Sequence, residues 1–227
     1  MKYRLMKGEY KDISHPSAKI KKIVRLFRII AIKDFDAFNG LDESGTATYV
    51  HIKEGDIGGW IETESNLPHG DTSWVFDNGY VFGDAVLVNS AVKFEGRVFD
   101  NAIVKDSLVR DYAKMFGTTT CEKCLLTGHS TVLGHVRLSG STLRNSVRVW
   151  GHAEIVDCTL SDGSTTCDNA KIYGCKLSDT ALVKGSAICH NCHYSGHVLI
   201  QAGDHRNETL RIDLDLKIES VVSEMRG

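Results

Sequence analysis

Ser141-Thr-Leu-Arg-Asn-Ser-Val-Arg-Val-Trp-Gly-His-Ala-Glu-Ile-Val-Asp157 runs directly into Cys158-Thr-Leu-Ser-Asp-Gly-Ser-Thr-Thr-Cys-Asp-Asn-Ala-Lys-Ile-Tyr-Gly174. Set one above the other, these two 17-residue lines share Thr-Leu at places two and three, Ala at thirteen and Ile at fifteen. The frame extends in both directions: Cys158, Cys175 and Cys192 are 17 residues apart, and Ser73, Ser90, Ser107, Cys124 and Ser141 fall in the same phase. From Ser73 the chain fills eight such rows. Column three reads Val75, Val92, Val109, Leu126, Leu143, Leu160, Leu177, Tyr194, and column nine reads Val81, Val98, Met115, Val132, Val149, Thr166, Val183, Ile200. Column fifteen reads Leu87, Val104, Cys121, Leu138, Ile155, Ile172, Cys189, until Arg206 interrupts it. A period of this length is the mark of a solenoid.

Within a row the large aliphatics recur at intervals of six, six and five, each preceded two places earlier by a small residue such as Gly79, Ala85 or Ser90. Two inward positions flanking one outward position describe a very short strand. Between strands stand Gly83, Gly117, Gly134 and Gly151, or Asp77, Asp111, Asn145, Asp162 and Asp179. These residue types accept positive φ and make corners. Three strands and three corners per row predict an all-β fold: a single-stranded triangular parallel β-helix of about eight 17-residue coils, roughly 38 Å long at the strand spacing. The expected division is 1–72 as N-terminal cap, 73–201 as β-helix and 202–227 as C-terminal cap strand.

Composition agrees. The chain has 227 residues, 42% hydrophobic and 25% charged, which excludes a disordered chain. Twenty-one glycines against two prolines fit many tight turns inside unbroken ladders. A net charge of −2 excludes a strongly basic nucleic-acid binder as a whole, although ten Lys or Arg against three acids crowd Met1 to Phe35. The best apolar run, Ile23 to Ile32, is broken by Arg25 and Arg28 and is too short to span a bilayer. Seven cysteines without an export signal imply free thiols and a cytoplasmic location.

A solenoid needs covered ends. The first row is apolar at nearly every outward place (Trp74, Phe76, Tyr80, Phe82, Val86, Val88), so Met1 to Thr72 is expected to cover it, with strand-like runs Leu26 to Ile32 and Thr48 to Ile52 framing a loop. At the far end Asp204 and Arg206 replace inward residues, and Leu210, Ile212, Leu214, Leu216 and Ile218 alternate with polar residues as a half-buried capping strand does.

The stretch Leu26-Phe-Arg-Ile-Ile-Ala-Ile-Lys-Asp-Phe35, Gly55-Asp-Ile-Gly-Gly-Trp-Ile-Glu62, Asn66-Leu67 and Trp74-Val-Phe-Asp-Asn78, followed by Gly-Asp-Ala-type repeats, resembles phage and prophage proteins of the YdcK-like β-helix group. The resemblance covers roughly Leu26 to Gln201. It implies a left-handed β-helix of the hexapeptide acyltransferase kind, a fold on which members are called transferases by shape alone. Fold does not fix activity. The insertion from Asp36 to Glu54 and the cysteine-rich later coils depart from the group's pattern.

Cys121-Glu-Lys-Cys124 and Cys189-His-Asn-Cys192 look like halves of a zinc ribbon, but they lie four coils, or about 19 Å, apart along the axis against a Zn–S bond of about 2.3 Å. One shared site is excluded. Six cysteines fall in inward columns as small hydrophobes, and Cys167 alone is placed outward as the reactive thiol. His190 and His193 flank Cys192 and offer adventitious metal contacts; no metal or cofactor is expected. Gly55 to Gly59 lacks a phosphate-loop spacing and reads as a tight loop anchored by Trp60.

Hexapeptide acyltransferases use a corner histidine as general base, and His135 and His152 share one corner column in adjacent coils, about 4.8 Å apart. Both are also ordinary exposed corner residues. Lys19, Lys21, Lys22, Arg25 and Arg28 form a basic run that suits nucleic acid or an anion, or simply a solvated face. Column ten is the most informative outward one: Phe82, Phe99, Phe116, Leu133 and Trp150 make an apolar edge, expected to be a subunit interface in a dimer or trimer unless the N-terminal segment or the insertion covers it. The leading expectation is a non-enzymatic structural or interaction protein of phage or prophage type, binding a host protein or itself. The alternatives are an acyltransferase working through His135 or His152, and a basic-arm binder of nucleic acid, a less expected partner, or of a host factor.

Overall fold

The apolar columns identified in the sequence all turn inward and are nearly sealed from solvent: Val75 to Tyr194, Val81 to Ile200 and Leu87 to Cys189 are each at most 8% exposed. The computed structural model describes residues 1–16 and 22–213. It is a parallel β-solenoid of about 9 turns spaced about 17 residues apart. Neighbouring coils meet in register, Val98 beside Val81 and Met115, Val104 beside Leu87 and Cys121, and Val109 beside Val92 and Leu126. The core is therefore three stacked columns of like residues, and its cohesion is the burial of one apolar side chain per strand, repeated along the axis.

Three sheets form the faces. The first runs through Tyr80–Val81, Arg97–Val98 and Lys114–Gly117 to Leu199–Ile200, the second from Val86–Val88 to Asp204–Arg206, and the third from Trp74–Val75 to Thr209–Ile212. Nearly every corner holds one left-handed residue per coil, and the corner at Asp162 and Gly163 holds two. At the corner leaving the third face, φ is 61° at Asp111, 69° at Gly128, 64° at Asn145, 58° at Asp162, 57° at Asp179 and 73° at Gly196. Aspartate does a second job there. The carboxylates of Asp111 and Asp179 accept the backbone N–H of Gly128 and Gly196 in the next coil, at 3.2 and 3.0 Å. Gly134, with φ 98°, shows the steric side: a Cβ would stand 2.6 Å from the Gly151 carbonyl oxygen.

One inward corner column is a polar ladder. Ser90, Ser107, Cys124, Cys158, Cys175 and Cys192 each donate a backbone N–H to the hydroxyl or thiol one coil below, at 2.9–3.4 Å. Small residues with a polar tip are needed because these buried N–H groups otherwise lack acceptors. All six inward cysteines are at most 2% exposed.

Parallel stacking begins before Ser73. Strand β1 (Tyr3–Ser14) pairs antiparallel with β2 (Ile23–Ala31), which pairs antiparallel with β5 (Ile57–Ile61). β5 then lies parallel to Tyr80–Val81 and starts the first face. Gly58 and Gly59 thus belong to a strand, not to the expected loop. A Cβ on them would fall 2.7 Å from the Trp74 ring and 2.5 Å from Val75 Cγ1, so glycine is required for close approach of the cap. Between β2 and β5 the insertion is not a loop either but a hairpin, β3 (Phe35–Leu41) with β4 (Ala47–Ile52). Its Phe38 packs on Ala91 and Leu108 of the third face.

Two features differ from the sequence reading at the far end. The last step is 16 residues, pairing Cys189 with His205 and His190 with Arg206, so His205 occupies the inward position, and Asp204 and Arg206 are exposed. One residue fewer turns the corner after Ile200. Thr209–Ile212 continues the third face, with Leu210 and Ile212 41% and 46% exposed rather than half-buried. Leu214, Leu216 and Ile218 lie outside the described residues. Among the described residues no helix is long and apolar enough to cross a membrane.

Candidate functional site

Each coil places one side chain just past the left-handed corner between the first and second faces, and stacking lines them up as Asp84, Asn101, Thr118, His135 and His152. The His135 and His152 rings are parallel to within 8°, centroids 4.8 Å apart, as the coil spacing demands. The Thr118 hydroxyl lies within hydrogen-bond reach of both His135 Nδ1 and the Gly134 carbonyl, the latter at 3.2 Å.

Across from this corner, residues at the end of β1 and start of β2 bend over the first face. His15 sits edge-on to Phe82 and Phe99, centroids 5.5 and 5.8 Å away, with Nε2 3.2 Å from Asp100 Oδ1. His15, Lys22, Asp84, Asp100, Thr118 and His135 border an open cleft of about 420 Å³. His135 lines this cleft and His152 stacks behind it.

The same overhang corrects the interface expectation. Phe82, Phe99 and Phe116 do form a stack, at 4.8 and 4.6 Å, but Phe82 and Phe99 are 0% exposed beneath Val24 and Leu26. The hairpin β1–β2 covers them within the chain. Phe116, at the margin of that cluster, and Leu133 and Trp150 along the same row are half-buried.

The basic run does not converge. Lys22 borders the cleft; Arg25 grips Asp12 with two 2.8 Å bonds and lies over Tyr10; Arg28 bonds the Asp77 carbonyl at 2.9 Å and lies over Trp60. The Arg25 bonds hold the Asp12 carboxyl below its usual range. Lys19 and Lys21 lie outside the described residues. Sequence reasoning missed a cluster in which Lys11 and Arg97 reach over Tyr80 while Lys11 and Arg28 reach over Trp60. Its members come from β1, β2, β5 and the first two coils, and only the pairing register brings them together.

Cys167 is the other correction. Its column faces outward, yet it is 4% exposed in the row between Trp150 and Lys184, and burial, then the Asp168 carboxylate, push its thiol up. Burial pushes the Cys189 thiol up to about 12. Cys192 Sγ points inward to the His190 carbonyl at 3.3 Å, away from exposed His193. Among the described residues no three His, Cys, Asp or Glu side chains converge on a metal position. All seven thiols of the native protein are therefore expected to resist iodoacetamide at pH 8, with Cys167 the first to react as the protein opens. Mass spectrometry of a time course checks this; several cysteines modified ahead of unfolding contradict the inward ladder.

No protein-family model and no curated protein matches this sequence.

Proposed function

We propose that the chain is a non-enzymatic interaction protein of phage or prophage type, which offers the outer surface of its solenoid to a partner protein or to a second copy. The observation that carries this reading is the apolar row that outruns its cover: Phe116, Leu133 and Trp150 continue the buried Phe82–Phe99 stack along a flat face. Exposed Lys114 and Arg148 stand two residues before Phe116 and Trp150. An apolar strip with a cationic margin suits an acidic segment carrying spaced apolar side chains. A photo-crosslinking residue at Leu133, in the native host, is expected to give a discrete adduct that disappears with Trp150→Ala and Lys114→Glu. The adduct mass separates a host protein from a second copy, and no adduct sinks the reading.

One observation favours a second reading, a hexapeptide-repeat-type acyltransferase. His135 stands at the edge of a cleft with its Nδ1 against the Thr118 hydroxyl, a placement that suits a corner general base. Under that reading acetyl-coenzyme A raises the melting temperature saturably, and His135→Ala removes turnover. Under the first reading it has no effect.

A further inference from the structure

Where the hairpin β1–β2 meets the first face, three positive charges gather with little to balance them. Pairing sets Arg28 beside Trp60, Trp60 beside Tyr80, Tyr80 beside Arg97 and Arg97 beside Lys114. Directly paired residues leave a sheet on the same side, so these five side chains form one row. Lys11 reaches into it from β1. Its ammonium donates to the Tyr80 hydroxyl at 2.7 Å and stands 5.1 Å from the Tyr80 ring centre and 5.9 Å from that of Trp60. Arg28 lies 4.9 Å over Trp60, and Arg97 lies 5.1 Å over Tyr80. Lys11 thus links the other two cations, sharing one ring with each.

Other cations of the same segment are neutralised: Lys2 meets Asp71 at 3.0 Å and Arg25 meets Asp12 at 2.8 Å. Among the described residues Lys11 and Arg28 meet no carboxylate. Arg28 donates instead to the Asp77 carbonyl and the Asn78 amide oxygen, at 2.9 and 3.4 Å. Arg97 has Glu95, 3.9 Å away at the prism edge. The neighbouring Glu62 accepts the Gly83 N–H at 2.7 Å. Trp60 adds an uncommitted donor, since its indole N–H is buried without an acceptor among the described residues. Attraction to the ring faces positions the cations but does not cancel their mutual repulsion. Indole, ammonium and guanidinium groups only donate, so what this cluster lacks is a negatively charged acceptor.

We propose that Lys11, Arg28 and Arg97 form a binding site for a short chain of linked phosphoryl groups, a linear oligophosphate lying lengthwise over Trp60 and Tyr80. This goes beyond the partner-binding reading, which rests on Phe116, Leu133 and Trp150 farther along the face. The row sets the shape of the ligand. Arg28 and Arg97 are three strand spacings apart, about 14 Å between backbones. An elongated anion reaches all three cations where they stand, whereas a single tetrahedral one would draw them off their rings. Each phosphoryl group brings several anionic oxygens, which a guanidinium meets with two parallel N–H groups. An oxygen drawn in between Lys11 and Arg28 also supplies the acceptor that the Trp60 indole lacks. The rings are already covered by cations, and Tyr80 is 4% exposed, so no platform is left on which a nucleobase could stack. The site therefore reads phosphate and not base. Lys114 comes next in the row and also borders the apolar strip, so the informative variants are those of Lys11 and Arg97.

The chain has three tryptophans and hence three indole signals in a proton–nitrogen correlation NMR spectrum, of which the Trp60 signal is the one lost in Trp60→Phe. Titrating the full chain with sodium tripolyphosphate is expected to move that signal and leave those of Trp74 and Trp150 in place. Saturation should give a Kd below about 1 mM in about 0.1 M salt. Lys11→Met and Arg97→Met each weaken binding by about 10-fold. Lys11→Arg keeps it, which separates a lost charge from a disturbed hairpin, and Lys7→Met, at an exposed charge on the same strand, leaves it unchanged. Orthophosphate binds about 10-fold more weakly or worse. Adenosine triphosphate binds about as tripolyphosphate does. The proposal is overturned by a Trp60 signal that stays in place, by an equal response of all three indoles, or by Lys7→Met weakening binding as much as Lys11→Met. Much tighter binding of adenosine triphosphate or of a single-stranded oligonucleotide than of tripolyphosphate overturns it too.

Discussion

Phe99→Ala is expected to lower the unfolding free energy by about 3–5 kcal/mol, the usual range for emptying a buried aromatic site. The ring is 0% exposed and lies between Phe82, at 4.8 Å and 1°, and Phe116, at 4.6 Å and 7°, with His15 edge-on at 5.8 Å. Its removal forfeits two stacked contacts as well as apolar burial, and each aromatic pair adds about 0.5–1.5 kcal/mol beyond area. The manner of the loss is as telling as its size. Phe99 points away from the solenoid axis, so the coil stack keeps its inward columns. What loses its floor is the overhang carrying Val24 and Leu26. Limited proteolysis should cut within residues 1–31 of the variant well before any coil, while circular dichroism retains its β signature. A change below about 1 kcal/mol with an intact hairpin would show that the overhang is held from elsewhere.

The second large effect concerns the ammonium of Lys2, whose side chain is 2% exposed. It donates to Asp71 Oδ1 at 3.0 Å and to the carbonyls of Asp71 and Ser73 at 2.9 and 2.8 Å. Burial pulls its pKa down and the Asp71 charge opposes that. Asp71 is a hub in its own right, accepting from Ser73 N and Oγ and from Asn89 N at 3.0, 2.9 and 3.1 Å. Asp71→Ala strands a buried cation and three donors, which costs about 3–5 kcal/mol in comparable buried pairs. Lys2→Met keeps the volume and removes the charge, and leaves Asp71 with its three donors. It is expected to cost clearly less, and to make Asp71→Ala milder when the two are combined. Urea denaturation of the two single variants and the double variant measures this coupling. Strict additivity would mean that the pair contributes nothing as a pair.

The inward half of this fold is written openly in the chain, because each coil repeats the same demand at the same place. Val75, Val81 and Leu87 face identical surroundings one coil after another, so selection for burial leaves columns. The outward half obeys no such rule. Whether Phe82 is a docking edge or a covered core residue depends on Val24 and Leu26, which lie in a segment without any repeat. Cys167 fails for a related reason: its column faces outward, but it is sheltered in the row between Trp150 and Lys184. The shortened last step escaped notice because the deletion falls among Gln201, Ala202 and Gly203, where no apolar column registers a slip. His135 and His152 were legible as neighbours because the coil spacing alone sets their distance. The cleft beside them was not, since half its rim comes from β1 and β2.

The regular placement of one left-handed residue at nearly every corner has a consequence for heredity. A recombination between misaligned repeats that drops or adds one whole coil removes or inserts 17 codons, and every corner, column and ladder resumes in phase. Loss of a single codon in mid-solenoid instead shortens one coil, as in the last step, and the corner or strand it falls in must absorb the missing residue between two coils that stay complete. The descendants of such a gene are thus expected to differ in length by whole coils, in steps of about 4.8 Å, with odd-sized changes tolerated only near the ends, where the last coil already carries one.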